Sequence, residues 1–140
     1  MKINITPPDS IQATIQLPSS KSISNRALII HALGNGEHPL DNLSDCDDTQ
    51  VMIRALQAQP GDTIDILAAG TAMRFLTAYL SVTQGDRIIT GTQRMQQRPI
   101  QVLVNALREL GAHIAYVANE GFPPLRIQGT THTKSHITLP

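Results

Sequence analysis

The order of elements along this chain predicts a mixed α/β (α+β) fold. Three observations carry that prediction. Short aliphatic runs of strand character alternate with longer runs of helical spacing. The helical runs close on Gly or Pro stops, as at Gly34-Asn35-Gly36, Pro60-Gly61 and Gly111. Residues Thr63 to Gln128 spell βαβαββ, and a looser βαβα order precedes them without a clear sequence repeat.

Ala13 to Leu17 alternates and reads as the first strand. Ser20 is a good N-cap for a helix over Lys21 to Leu33, whose apolar residues Ala27, Leu28, Ile29, Ile30 and Leu33 have helical spacing. Pro39 to Leu43 is a short extended piece. Asp47-Asp48 opens a second helix, to about Ala58, with its acids at the positive end. Thr63 to Leu67 is a strand, and Ala69-Gly70-Thr71 leads into a helix that runs to about Val82. Arg87 to Thr90 is a strand. Arg98-Pro99 opens the next helix, with Pro at its favoured first position and Gly111 as the stop. His113 to Val117 and Leu125 to Gln128 are strands joined by the turn-rich Asn119-Glu120-Gly121-Phe122-Pro123-Pro124. Ile137 to Leu139 starts another strand, so the chain stops beside an apolar run, as a truncated piece does.

Bulk composition narrows the function. With 140 residues there is room for one domain with a modest core. Lys+Arg and Asp+Glu both number 11, so net charge is zero, which argues against a general nucleic-acid or membrane-surface binder. Aromatics are 3% and Trp is absent, so the core is aliphatic and base-stacking platforms are not expected. Hydrophobic residues make up 41%, too many for a disordered chain. No apolar run is long enough to span a membrane, and the first residues lack the pattern of a secretory signal. Cys46 is the only cysteine, which fits a reducing cytoplasm. Its neighbours Asp45 and Asp47 are expected to raise the thiol pKa, making it a poor nucleophile. The five histidines show no convincing metal spacing, and neither a metal nor another cofactor is expected.

Three segments carry the chemistry. Lys21 and Ser22 open a helix, where unpaired N–H groups and the dipole favour an anion, and Arg26 lies one turn on. In Leu67-Ala68-Ala69-Gly70-Thr71-Ala72-Met73-Arg74 a strand enters a helix through a Gly that lets a ligand approach the backbone. In Gln93-Arg94-Met95-Gln96-Gln97-Arg98-Pro99 two arginines flank a helix start, suited to bidentate contact with phosphate or carboxylate. Each alone also fits an ordinary capped helix, a tight βα turn or solvated surface arginines. Loops at the carboxyl ends of strands gather on one sheet edge, and together the three favour a site for phosphate-bearing anions.

These residues resemble a known family. Ser20 to Leu28, Ala69 to Arg74 and Arg94 to Ile100, supported by Asp45-Cys46-Asp47-Asp48-Thr49 and Glu120 to Leu125, are similar to 5-enolpyruvylshikimate-3-phosphate synthase, also called 3-phosphoshikimate 1-carboxyvinyltransferase. The match in order and spacing runs from about Leu17 to Gln128, covering only the N-terminal part of a family member.

The resemblance implies transfer of the enolpyruvyl group of phosphoenolpyruvate to the 5-hydroxyl of shikimate 3-phosphate, releasing phosphate, by addition and elimination and without a cofactor. This is a shikimate-pathway step towards chorismate and aromatic amino acids, in the cytoplasm. By motif, Lys21 touches both substrates and is the catalytic candidate. Ser22 binds the shikimate phosphate and Arg26 its carboxylate, while Gly70 and Arg98 hold phosphoenolpyruvate. Thr71, Arg74, Asp47 and Asp48 stand behind them, and charge balance suggests that Arg74 pairs with Asp47 or Asp48.

The implied fold is an inside-out α/β barrel of βαβαββ units, here a partial domain. Residues 1–17 form a leading strand that belongs with the absent second domain, and 18–140 form an incomplete N-terminal domain. The expected partners are the two substrates and the missing C-terminal domain, with no nucleic acid and no membrane, in a monomer. The piece alone is expected to be inactive, because most proton-transferring groups lie beyond residue 140. The stretch from residue 1 to about 17 is expected to fray or pair differently.

Two positions depart from the family pattern. Ala68 replaces a common Asn, and Phe75 replaces a usual Pro, placed by this reading in the first turn of its helix, with altered glyphosate sensitivity as the expectation for a full-length enzyme. Two other readings stand beside this one: a UDP-N-acetylglucosamine enolpyruvyl transferase, which the Ser-Lys-Ser-Ile-Ser-Asn-Arg run and the acid-flanked Cys46 disfavour, and a non-catalytic anion-binding module of the same fold.

Overall fold

The computed structural model describes residues 2–34, 36 and 38–138. In chain order the elements are α1 (Lys21–Leu33), α2 (Asp47–Leu56), β1 (Thr63–Asp65), α3 (Gly70–Val82), β2 (Gly85–Thr90), α4 (Gln93–Gln96), α5 (Gln101–Leu110), β3 (His113–Tyr116) and β4 (Leu125–Gly129). Asn35 of the first helix stop and Leu139-Pro140 of the last expected strand lie outside the described residues. No helix among the described residues is long and apolar enough to cross a membrane.

The four strands form one sheet in the order β1-β2-β4-β3. β1 is parallel to β2, and β4 is antiparallel to both β2 and β3. β1, β2 and β3 therefore point the same way, and the loops that leave them reach one edge. The side chains alternate across the sheet. Ile64, Ile89, Ile114, Leu125 and Ile127 face the helices and are buried, while Asp65, His113, Arg126 and Gln128 between them are exposed. The result is two layers: a sheet with one wet face, and helices over the other.

Helix α3 is the centre of the core. Its buried stripe Ala72, Met73, Leu76, Thr77 and Leu80 follows helical spacing and packs among Met52, Val104 and the inward residues of the sheet. Met52, Met73, Leu76, Ile89 and Leu125 are all essentially inaccessible to water. Each such side chain, taken out of water, contributes about 1.5–3 kcal/mol before entropy is counted. Arg108 in the last turn of α5 ties that helix to β3. Its Nε and Nη2 donate to Ile114 O at 2.9 and 2.7 Å, and its guanidinium lies 4.9 Å from the Tyr116 ring centroid.

Helices α1 and α3 have the ends read from the sequence, and α1 is capped as expected, with Ser20 Oγ accepting from Ile23 N at 3.4 Å. Gly111 stops α5 at a φ of 109°, a left-handed conformation that costs Gly little.

Other expectations fail. Ala13–Leu17 forms no strand: residues 2–18 have neither helix nor strand and are exposed, with no neighbouring strand to pair their amides. Residues 39–43 and 137–138 form none either. Pro99 does not open a helix. Thr92 caps the short α4 by accepting from Met95 N, and α5 begins only at Gln101. The residue before a Pro is pushed away from helical angles, which separates the two helices. Ile100 N then donates to Gly121 O at 2.9 Å, a contact from far along the chain that pins the break.

Candidate anion-binding site

The second and third segments meet directly. β1 ends when Leu67 turns to a φ of 53°, a conformation that costs a branched residue about 1–2 kcal/mol. The turn is held from both sides. Leu67 N donates to Asp65 Oδ1 at 2.8 Å, and Leu67 O accepts from Thr92 N at 3.0 Å. Gly91 makes that approach feasible, because a Cβ there would sit 2.5 Å from Leu67 O. The loop after β1 is thereby fastened to the loop after β2.

On this base Gly70 opens α3 with no side-chain cap from Ala69, so the first N–H groups of the helix are left to solvent or ligand. The Arg98 guanidinium lies over Gly70, so close that a Cβ at residue 70 would overlap it. Arg98 is exposed, and Thr71 is half-buried in the same first turn. Arg74 braces the pair from behind: Nη1 donates to Gly70 O at 3.2 Å and Nη2 to Pro99 O at 3.5 Å.

That bracing corrects the expected Arg74 partner. Arg74 lies one helical turn from Gly70, and its fork spends its donors on two backbone carbonyls. Asp48 pairs instead with Lys21, Nζ to Oδ2 at 3.2 Å, with the lysine side chain 49% exposed. Asp47 is exposed in the first turn of α2 and joins no ion pair among the described residues. Arg94, on α4, is likewise exposed.

The first segment splits into two faces. Lys21, Ser22 and Arg26 are exposed, whereas Ser24 and Asn25 are buried. Ser24 Oγ accepts from Ser44 N at 2.9 Å, and Asn25 Oδ1 accepts from Thr49 Oγ1 at 3.0 Å. These bonds fix the entry to α2 beside α1 and so set the place of Asp48 against Lys21. Arg26 bends back, donating from Nη1 to Ser22 O at 2.9 Å, and its guanidinium lies 5.5 Å from the centroid of the Phe75 ring on α3. Because α3 begins at Gly70, Phe75 falls in its second turn, not the first.

Cys46 also differs from expectation. Its thiol pKa is lowered, chiefly by hydrogen bonding from Ser44 and then from Thr49, whose Oγ1 is 3.4 Å away. The flanking carboxylates of Asp45 and Asp47 are exposed, and water screens them.

Sequence reasoning missed Gly91, Asp65 and the buried Ser24–Ser44 and Asn25–Thr49 pairs as supports of the site. An amide beside apolar helix positions was the one visible signal, at Asn25. The other pairings join residues far apart in the chain.

Comparisons with known proteins bear on the family. The family model described as EPSP synthase (3-phosphoshikimate 1-carboxyvinyltransferase) matches residues 5–59 and 56–140. A 3-phosphoshikimate 1-carboxyvinyltransferase of Bacteroides fragilis (strain YCH46) is 72% identical over 99% of this chain and 34% of its own length. One of Burkholderia orbicola (strain MC0-3) is 44% identical over 92% of this chain and 35% of its own length. A solved EPSP synthase from Acinetobacter baumannii superposes with a TM-score of 0.75, at 21% identity, over 90% of this chain and 34% of that one, which speaks for the fold alone. The chain spans about a third of the length of the curated relatives it matches. With a family model covering nearly all of it, the chain belongs to the EPSP synthase family.

Proposed function

We propose that this chain supplies one half of the substrate site for enolpyruvyl transfer from phosphoenolpyruvate to the 5-hydroxyl of shikimate 3-phosphate. Lys21 touches both substrates, Ser22 takes the shikimate phosphate and Arg26 its carboxylate. Gly70 and Arg98 hold phosphoenolpyruvate. The observation that carries this reading is the Arg98 guanidinium laid over Gly70 at the uncapped start of α3. A cation and free helix N–H groups there offer a phosphate both charge and donors.

Two polyanions repel, so bringing them into reacting geometry requires dense fixed positive charge. Lys21, Arg26, Arg74 and Arg98 supply it on this molecule, and only Lys21 of the four is in an ion pair among the described residues. In the proposed reaction the 5-hydroxyl gives up its proton and its oxygen adds to C2 of phosphoenolpyruvate, as the C2=C3 double bond opens and a proton is placed on C3. The tetrahedral adduct then loses phosphate and a C3 proton, leaving the enol ether.

On this reading the groups that move those protons come from the region that longer relatives have beyond the match, and the chain by itself is inactive. Residues 1–17 belong with that region, which suits the exposure of Ile3, Ile5, Ile15 and Leu17, each more than 70% accessible. The reaction is assigned to the cytoplasm, consistent with a single free cysteine.

The test is an NMR titration of the chain with shikimate 3-phosphate, following the amides of Lys21, Ser22, Gly70 and Arg98. Saturable shifts at Lys21 and Ser22 that disappear in Lys21→Ala support the reading. A folded chain that shows no shift at any of the four contradicts a preformed half-site.

A further inference from the structure

Three cations on this molecule are held in two different ways. Lys21 is held by the carboxylate of Asp48, and Arg126 by that of Asp86. Arg26 has no carboxylate partner among the described residues; it is held by the Phe75 ring at 5.5 Å and by one backbone carbonyl, Ser22 O. The distinction has chemical consequences. A carboxylate neutralises the charge and occupies the fork. A ring face attracts the cation through its quadrupole and uses none of its five N–H donors. Arg26 is therefore fixed in place with its charge intact and, beyond the bond to Ser22 O, with donors left for a carboxylate.

Phe75 is itself well placed to act as a fixed wall. It is half-buried on α3 and lines a groove between α1 and α3 together with Ile29, Ile30, Ala78 and Tyr79. The helix it sits on is the core helix of the molecule, anchored by Met73 and Leu76 on either side of it in sequence. That same helix begins at Gly70, under Arg98. One rigid element thus sets both the phosphate-facing glycine and the ring under Arg26.

We infer that Phe75 is the positioning residue of Arg26, holding its guanidinium ready for the carboxylate of shikimate 3-phosphate. The inference rests on the substrate assignment above. It makes Phe75 a determinant of carboxylate recognition, acting through Arg26 and touching no reacting atom.

The experiment measures the affinity of the chain for shikimate 3-phosphate and for its 1-carboxamide, in wild type, Phe75→Leu and Phe75→Tyr. Phe75→Leu is expected to weaken the carboxylate ligand about two- to fivefold, the range of an exposed cation–π contact. It should leave the carboxamide unchanged, and Phe75→Tyr should restore the carboxylate affinity. Equal affinity of wild type and Phe75→Leu for the carboxylate overturns the inference, and so does an equal loss for both ligands, which marks a merely structural role. Without ligand, the Arg26 Nε–H resonance of wild type should lie upfield of its place in Arg26-containing Phe75→Leu, from the ring current. Its absence in folded wild-type protein overturns the stacked geometry itself. If wild type shows the ring-current shift but binds neither ligand, the substrate assignment fails, and this inference with it.

Discussion

Gly70 and Arg98 illustrate how a single missing methyl shapes the site. The atom that a Cβ at residue 70 would meet is the end of a flexible arginine, not backbone. Gly70→Ala should therefore displace Arg98 without damaging the fold. Stability should change by less than about 1 kcal/mol, since Ala is also the better helix residue. Phosphoenolpyruvate affinity should drop about tenfold or more, the scale of one lost charge-assisted hydrogen bond. Thermal unfolding and a phosphoenolpyruvate titration of the same variant check the two halves. A large loss of stability with unchanged affinity would show that Gly70 serves packing alone.

At the scale of elements, the joint between α1 and α2 is polar at its centre. Asn25 and Thr49 are fully buried, and Asn25 Nδ2 has no hydrogen-bond partner. Its Oδ1 is satisfied only while Thr49 donates to it. Thr49→Val keeps the shape and removes the donor, leaving a buried acceptor unpaired. The expected cost is about 1–3 kcal/mol in a denaturant melt. Because α2 carries Asp48, the same variant should loosen the Lys21–Asp48 pair, seen as a change at the Lys21 amide. The helix break at Pro99 belongs to this scale as well. A Pro after an Arg reads as a favourable helix start, but local preference is overridden by the bond from Ile100 N to Gly121 O.

Across the whole molecule, the wet face of the sheet holds one ion pair that couples β2 to β4. Arg126 donates to Asp86 from Nε at 3.0 Å and from Nη2 at 2.5 Å. The hydrogen bonds and charge of Arg126 hold the Asp86 carboxyl below its ordinary range. A carboxyl depressed in the folded state adds stability that is present above its unfolded pKa, about 4, and lost as pH falls through the folded value. Asp86→Asn should therefore lower the melting midpoint slightly at pH 7. The gap should hold down to pH 5 and close as the pH drops below about 4. A gap that persists at pH 2 would assign the effect to packing instead of charge. The pair is exposed on both sides, so salt should shrink it too.

The ends of α1 and α3, the strands between Thr63 and Gln128 and the three anion-favouring segments were legible in the sequence. Those features rest on local chemistry: caps, glycine stops, apolar spacing and the need of an anion for donors and charge. The pairings came from the packing of elements far apart in the chain. Asp48 went to Lys21 and Arg74 to two carbonyls, and Phe75 came under Arg26. The thiol of Cys46 was lowered by Ser44 and Thr49 instead of raised by its neighbours in sequence. Residues 13–17 alternate like a strand yet form none, because alternation supplies one face of a strand and not the neighbouring strand that its amides require. Sequence spacing fixes which way a residue faces on its own element; which group waits there depends on how the elements pack.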